Sequence, residues 1–254
     1  MAYKRILRDV FRSKSQKKIL IVSLQKCGTH LIHKIMSEAG MESVGVGKDC
    51  TVADFRKLKD HQYLWSHYPP SDNFLSEIEN GNRNFKLIFN YRDPRDALVS
   101  WLYWMHPENA KVTHTPREYV KKTYRGFTDD ELLEIFIKID KFRPIEYNII
   151  ENFRLSRAML FHPGVHKIRF EDLVGAKGGG NDGDQFVTLE KLFSYLQISN
   201  IGIKHIAAKA FDRESETFRR GCIGEYKEKF SKKNLTLFEK LHCDLIAQYG
   251  YKIE

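Results

Sequence analysis

Hydrophobic and polar positions alternate along this chain in blocks that predict strands and helices in turn. Lys18 to Leu24 (KILIVSL) is a short apolar run rich in β-branched residues, the pattern of a buried parallel strand. Thr29 to Ala39 follows with apolar residues at helical spacing (Leu31, Ile32, Ile35, Met36), and Gly40 ends it. Strand, tight turn and helix make the opening half of a βαβ unit. Tyr63 to His67 (YLWSH) predicts a second strand, stopped by Pro69-Pro70, and Phe85 to Tyr91 (FKLIFNY) a third. Pro94 stands where a helix can begin, and Ala97 to Met105 continue it. Asp129 to His162 reads as two helices broken near Pro144. Val165 to Phe170 reads as a fourth strand, and Gly175 to Asp184 as a flexible loop. Phe186 to Leu196 and Leu235 to Gln248 have amphipathic helical spacing. The alternation predicts an α/β fold of three layers, a central parallel β-sheet flanked by helices.

Composition narrows the classes. The 254 residues suit one large domain, and no linker-like stretch or internal repeat divides them. The expected organisation is a flexible basic arm at 1–16 and a single domain over 17–254. Lys and Arg number 42 against 33 Asp and Glu, a net charge of +9. That balance attracts anions: nucleic acid, acidic membrane or a phosphorylated ligand. The charge is scattered, however, and by itself describes no more than a basic surface. The four cysteines (Cys27, Cys50, Cys222, Cys243) form no C-x-x-C pair and have no zinc-site spacing. The basic N-terminus lacks an apolar signal core, and no apolar run is long enough to cross a bilayer. A cytoplasmic protein with free thiols is expected.

Three segments could carry chemistry. The turn Gln25-Lys26-Cys27-Gly28-Thr29 lies between strand and helix, where backbone N–H groups and the helix dipole converge on one spot. Lys26 adds a charge and Thr29 a hydroxyl, giving a P-loop-like phosphate-binding strand–turn–helix; the bland alternative is a plain connection. It is not the long G-x-x-x-x-G-K-[ST] loop, since a single Gly follows the Lys. Arg92 ends the FKLIFNY strand, and Ser100 falls about two turns along the next helix. Ligands gather at the carboxyl ends of parallel strands. Arg92 and Ser100 could therefore share one anion, or Arg92 could pair with Asp93 or Asp96. The loop Phe218-Arg219-Arg220-Gly221 is either an anion clamp with close backbone approach or a solvated basic turn.

In this order and at these distances, the segments resemble the sulfotransferases that use 3′-phosphoadenosine 5′-phosphosulfate (PAPS). Their 5′-phosphosulfate loop, P-K-S-G-T-T-W, is matched by Gln25-Lys-Cys-Gly-Thr-His-Leu31. Their R-N-x-x-D-x-x-V-S is similar to Arg92-Asp93-x-x-Asp96-x-x-Val99-Ser100. Their R-K-G-x-x-G-D-W-K is similar to Arg219-Arg220-Gly221-x-x-Gly224-Glu-Tyr-Lys227, and their Y-E-D to Phe170-Glu171-Asp172. The resemblance runs over about residues 18 to 230. It implies that Lys26, Cys27, Gly28, Thr29 and His30 hold the 5′-phosphosulfate. Arg92, Ser100, Arg219, Arg220 and Gly221 would then hold the 3′-phosphate. Leu31 stands where the family has the Trp that packs on adenine, and Cys27, His30 and Phe170 also depart from the pattern.

The family's T-H-x-P segment is matched by Ser66-His67-Tyr68-Pro69, which makes His67 the expected general base and the expected catalytic partner of Lys26. His30, His106 and His114 compete with it. Trp65 replaces a Lys that assists the leaving group in the family, which leaves that role to Lys26. No carboxylate cluster suits Mg²⁺, so no metal is expected. Tyr103, Trp104 and His106 follow the second motif, where the family lines its acceptor pocket; Tyr103 and Trp104 read equally well as core. Lys177 to Gly183 reads as a surface loop.

The implied reaction transfers a sulfonate group from PAPS to a hydroxyl, or less readily an amine, of a small-molecule acceptor. It leaves 3′,5′-adenosine bisphosphate (PAP) as product. No nucleic-acid or membrane partner is implied. The family's dimer motif K-x-x-x-T-V-x-x-x-E falls on Lys227 to Thr236 without its Val and Glu, so a monomer or a non-family-type oligomer is expected. The rivals are a kinase-like phosphotransferase, which lacks its long Gly-rich loop here, and a basic RNA-binding module, which leaves the ordered motifs unexplained.

Overall fold

The computed structural model describes residues 18–45, 57–79, 85–106, 115–141, 148–211 and 220–253. The arm expected at 1–16 lies outside them, as do Cys50, His114 and Arg219. The chain divides into two compact units, each drawn from two stretches: Met1–Tyr91 with Ala158–Ile223, and Arg92–Arg157 with Gly224–Glu254.

The first unit holds the sheet. Its strands are β1 (Lys18–Ser23), β2 (Glu42–Ser43), β3 (Gln62–Ser66), β4 (Phe85–Tyr91) and β5 (Val165–Arg169), in the order β2-β3-β1-β4-β5. Every pairing is parallel. The result is the expected three-layer α/β arrangement with a central parallel sheet. On β1, Ile19 and Ile21 join a cluster with Ile32, Ile35 and Met36 of the helix Thr29–Glu38. The same cluster contains Leu189, Leu192 and Phe193 of Asp182–Tyr195, and Ile206 of Ile203–Ala210. Leu20 and Val22 point to the opposite face and are equally buried. A strand sealed on both faces reads as an unbroken apolar run, and this is why β1 and β4 are visible in the sequence.

Three local differences from expectation have physical causes. β2 consists of two exposed polar residues and carries no hydrophobic signal. β5 stops one residue short of Phe170, because Arg169 donates to both carboxylate oxygens of Asp172 (2.8 and 2.7 Å) and a short helix, Phe170–Leu173, begins there. The stretch expected to be a flexible loop contains a 3₁₀ turn, Ala176–Gly178, and an Asn181 side chain that caps the helix Asp182–Tyr195. Gly178 is buried: a Cβ there would lie 2.3 Å from Val174 Cγ2 and 2.6 Å from the Gly221 carbonyl oxygen. Its own carbonyl accepts from the Ile223 N–H (3.2 Å). The glycines permit close backbone contact with residues 221–223.

The second unit is helical. Pro94–Met105 packs on Asp129–Ile137 and Ile149–Leu155. Pro94 at its start and the Asp93 side chain, which accepts from the Arg95 N–H, fix its first turn. The region expected as two helices is shorter pieces: Asp129–Ile137 with a capping box at Thr128, a 3₁₀ turn Ile139–Lys141, then Ile149–Leu155 and Arg157–Phe161. Residues around Pro144 lie outside the described residues. Lys232–Gln248 is kinked at His242, whose Nε2–H donates to the Ile137 carbonyl while Nδ1 accepts from Arg154. Ser231, inside the altered dimer motif, is the N-cap of this helix. Among the described residues no helix is long and apolar enough to cross a membrane.

Candidate functional site

The first unit concentrates its polar groups at the carboxyl end of β1. There the chain makes two left-handed residues: Lys26 at φ 63° and Gly28 at φ 91°. A left-handed lysine costs energy and is retained where the surroundings hold it. Gly28 has a second reason to be glycine, since a Cβ would lie 2.6 Å from the Phe170 ring. The Cys27 N–H donates to the Leu24 carbonyl (3.1 Å), which closes the turn. Cys27 itself is fully buried, so this position presents backbone rather than a thiol. The first intrahelical bond runs from the Ile32 N–H to the Gly28 carbonyl, and the N–H groups before it face out of the helix start. Half-buried Lys26 adds a full positive charge.

A residue that the sequence reading passed over holds this turn in place. Asn90, fully buried near the end of β4, donates its side-chain amide to Ser23 Oγ (3.0 Å) and to the Cys27 carbonyl (2.8 Å). Its own carbonyl accepts from the Leu24 N–H (3.1 Å). Ser23 Oγ in turn lies 2.9 Å from Thr29 Oγ1. With Asn90 donating into Ser23, the Ser23 O–H can point at Thr29, which turns the Thr29 O–H outward as a donor. The signal was available: Asn90 is the lone amide in a strand that is otherwise apolar but for Lys86.

His67 follows β3 and belongs to the same unit. Its Nδ1 lies 2.7 Å from the Ser23 carbonyl oxygen. A carbonyl only accepts, so Nδ1 carries the proton and Nε2 carries the lone pair. Burial holds the His67 pKa below its ordinary 6.5; the Lys26 and His30 charges push the same way, against the opposing bond to Ser23. The imidazole is therefore neutral at neutral pH. Trp65 meets it edge-on at 5.1 Å, in the position where the resemblance expects a Lys. Trp65 also meets His33 at 5.0 Å. Burial lowers the His33 pKa to about 4, with His30 and His67 adding to the shift, and its Nδ1 lies 2.6 Å from the Tyr63 hydroxyl. His30, the competing donor-loop histidine, is exposed.

The second unit brings Arg92 to Asp96 (Nη2 to Oδ2, 3.3 Å), both nearly sealed from solvent. Arg92 thus pairs with Asp96, but in the interior, where the alternative reading expected a pair on the surface. Asp96 also accepts the Gly224 N–H (2.7 Å) and the Tyr226 N–H (3.0 Å). Burial raises its pKa, while Arg92 and the two N–H donors oppose that shift. Arg95 grips Asp93 through Nε (3.0 Å) and Nη2 (2.7 Å), and its guanidinium lies 4.0 Å over the Tyr226 ring. Asp96 is therefore a latch between two of the sequence motifs. Ser100 lies half-buried farther along the same helix. In the first unit Arg220 is exposed and Gly221 half-buried beside the Gly178 loop.

Tyr103, Trp104 and His106 are all half-buried rather than core. The Tyr103 hydroxyl donates to Asp129 Oδ2 (3.3 Å), and His106 Nε2 lies 3.4 Å from Asp129 Oδ1. Trp104 leans on Trp101 at 4.8 Å and carries the Arg117 guanidinium over its face at 4.0 Å. Neither Asp129 nor Arg117 was singled out from the sequence. Among the described residues, no group of three or more His, Cys, Asp or Glu is placed to hold a metal ion. Cys27, Cys222 and Cys243 are thiols.

No protein-family model matches the chain, and no curated protein matches it. Solved structures do. Mouse sulfotransferase SULT7A1, complexed with PAP, aligns over 95% of this chain and 89% of its own, with a TM-score of 0.62 and 17% sequence identity. The parallel sheet with its flanking helices is thus an arrangement this chain shares with a sulfotransferase, and the likeness is one of fold.

Proposed function

We propose that this chain is a PAPS-dependent sulfotransferase that acts on a small-molecule hydroxyl. The observation that carries the reading is His67: a neutral imidazole with its proton fixed on Nδ1 by the Ser23 carbonyl and its lone pair on Nε2. It belongs to the same unit as the Lys26–Thr29 turn. The fold shared with a PAP-complexed sulfotransferase and the ordered motifs support the same conclusion.

The residues fit the donor. Left-handed Lys26 and Gly28 open the helix start, and Phe170 closes on Gly28 in a way that excludes a side chain. Backbone N–H groups, the Lys26 ammonium and the Thr29 hydroxyl suit a phosphosulfate. Arg92, held on Asp96, presents a guanidinium whose planar fork suits a 3′-phosphate. The resemblance would assign Ser100, Arg219, Arg220 and Gly221 to the same phosphate. The donor supplies a sulfonate on a phosphate leaving group.

His67 Nε2 takes the proton of the acceptor hydroxyl as its oxygen bonds to sulfur. The bond from sulfur to the phosphate oxygen breaks, and the Lys26 ammonium stabilises the charge left on that oxygen. The products are the sulfate ester and PAP. No step calls for a metal. His30 contributes its backbone N–H group to the loop, while the Cys27 N–H closes the turn on the Leu24 carbonyl.

PAP at 100 times its Kd is expected to add about 2.7 kcal/mol of stability, a rise of about 5–11 °C in Tm. ATP with Mg²⁺ should give no such rise; equal shifts from both would overturn the reading. His67→Ala is expected to lower transfer by about 10²–10⁴-fold with the PAP shift retained. Undiminished turnover in that variant would remove His67 as the base.

A further inference from the structure

The bond from His67 Nδ1–H to the Ser23 carbonyl (2.7 Å) fixes a proton but not a plane. The last torsion of a histidine side chain is broad, so a ring tethered at one atom can still swing about that bond. Work as a general base needs the Nε2 lone pair to keep its direction. The same unit holds a second restraint on the ring.

Tyr63 and Trp65 stand two residues apart on one face of β3, and His67 continues their side beyond the strand. The helix Thr29–Glu38 sets His33 against both of them. His33 stacks on Tyr63 with ring centres 5.6 Å apart and planes 28° from parallel. It meets Trp65 at 5.0 Å and 80°, and Trp65 in turn meets His67 at 5.1 Å and 75°. Edge-to-face contact is a preferred arrangement of aromatic rings, so both contacts resist rotation of the ring between them. The far end is anchored. Tyr63 is 1% exposed, and its hydroxyl lies 2.6 Å from His33 Nδ1. Trp65 also rests on the apolar cluster that contains Ile21, its register partner on β1. The four rings run from the core to the proposed base.

Two features set this row apart from ordinary packing. His33 buries Nε2 without a hydrogen-bond partner among the described residues, a cost that a leucine at that position would not carry. Trp65 stands where the family resemblance expects a Lys. A Lys there would be a flexible four-carbon stem ending in a charge, whereas an indole turns on two side-chain torsions and presents a rigid edge.

We infer that Trp65 is a positioning residue for His67, and that His33, held on Tyr63, positions Trp65. The row sets the direction of Nε2, as the Ser23 carbonyl sets the tautomer. That His67 acts as a base rests on the sulfotransferase reading; that its ring is held by this row does not.

The test follows His67 by NMR in the whole chain, with the histidine rings isotopically labelled. In the wild type the His67 Cε1–H bond should be as ordered as rigid backbone, with an order parameter of about 0.85, and the ring nitrogens should show the Nδ1–H tautomer alone. Trp65→Leu should lower that order parameter below about 0.6 and let the second tautomer appear. Trp65→Phe keeps an aromatic edge and should recover most of the order. His33→Ala leaves Trp65 in place and should loosen His67 by a smaller amount; it carries the test if Trp65→Leu does not fold. Unchanged order and tautomer in Trp65→Leu, or an equal loss in Trp65→Phe, would overturn the role of Trp65. No change in His33→Ala would overturn that of His33, and a disordered His67 ring in the wild type would overturn both. The PAP-induced rise in Tm, measured on the same samples, reports on the sulfotransferase reading alone: its absence would remove PAPS as the donor and leave the ring row standing.

Discussion

The turn after β1 and the start of the helix at Pro94 belong to different units and are stabilised by opposite means. At the turn the framework is neutral. The Asn90 amide, the Ser23 hydroxyl and backbone carbonyls fix the geometry, and the only full charge is Lys26. At Pro94 the framework is ionic: Arg92 rests on Asp96, and Arg95 on Asp93. The hydrogen bonds that fix the turn draw on an amide, a hydroxyl and backbone carbonyls, none of them charged. An ionic framework begins compensated, and a ligand must share the guanidinium with a resident carboxylate. On the proposed reading, the difference suits the first region to chemistry and the second to anchoring. Groups that stabilise a developing charge work best when they need no rearrangement, whereas a handle only has to be held.

Asp96→Ala should have the largest effect on the ionic region. It leaves a buried Arg92 and two N–H donors unpaired and should lower stability by about 3–5 kcal/mol, read as a fall in the urea midpoint. Asp96→Asn should recover part of that loss. A loss under 1 kcal/mol for Asp96→Ala would mean that the latch is ornamental and the contrast is false.

In the neutral region, Asn90→Ala removes two buried hydrogen bonds and should cost about 1–3 kcal/mol. Asn90→Asp sharpens the comparison, because a carboxylate cannot donate to Ser23 and the Cys27 carbonyl and sets a negative charge beside Lys26. PAP affinity, measured by calorimetry, should fall further in Asn90→Asp than in Asn90→Ala. The reverse order would mean that the turn is held by shape alone.

The smallest expected effect is on pH dependence, where the two regions should differ in sign. His33 and His67 have folded pKa values below 6.5, and His33 falls to about 4. Between 6.5 and those values the unfolded chain binds more protons, so their contribution to stability is lost as pH falls through that window. Asp96 has a raised pKa, so its contribution weakens as pH rises through the window just above the ordinary carboxylate value. Urea midpoints near pH 7 and pH 5 should therefore show a lower stability at pH 5. His33→Gln should reduce that difference by about 1 kcal/mol, an amount that allows for solvent screening of a half-buried ring.

Much of the fold was legible because its signals are local. β4 and the helix Pro94–Met105 lie where FKLIFNY and the following proline placed them, since a doubly buried strand must be apolar and Pro favours a helix start. β2 was invisible for the opposite reason: it is two residues long and exposes polar side chains. The glycines at 178–180 announced a loop, but the tight packing of Gly178 against Val174 and Gly221 depends on a segment more than 40 residues away.

The sequence by itself determined where β1, β4 and the helix Pro94–Met105 lie, and which residue types stand at the Lys26 turn and at position 67. Each depends on residue type and near neighbours. The tertiary structure alone decided the tautomer of His67, the double grip of Asn90, the Asp96 latch and the stacking of Arg117 on Trp104. These depend on which carbonyl, carboxylate or ring meets a side chain from another element. Burial then sets the cost of every polar group left without such a partner.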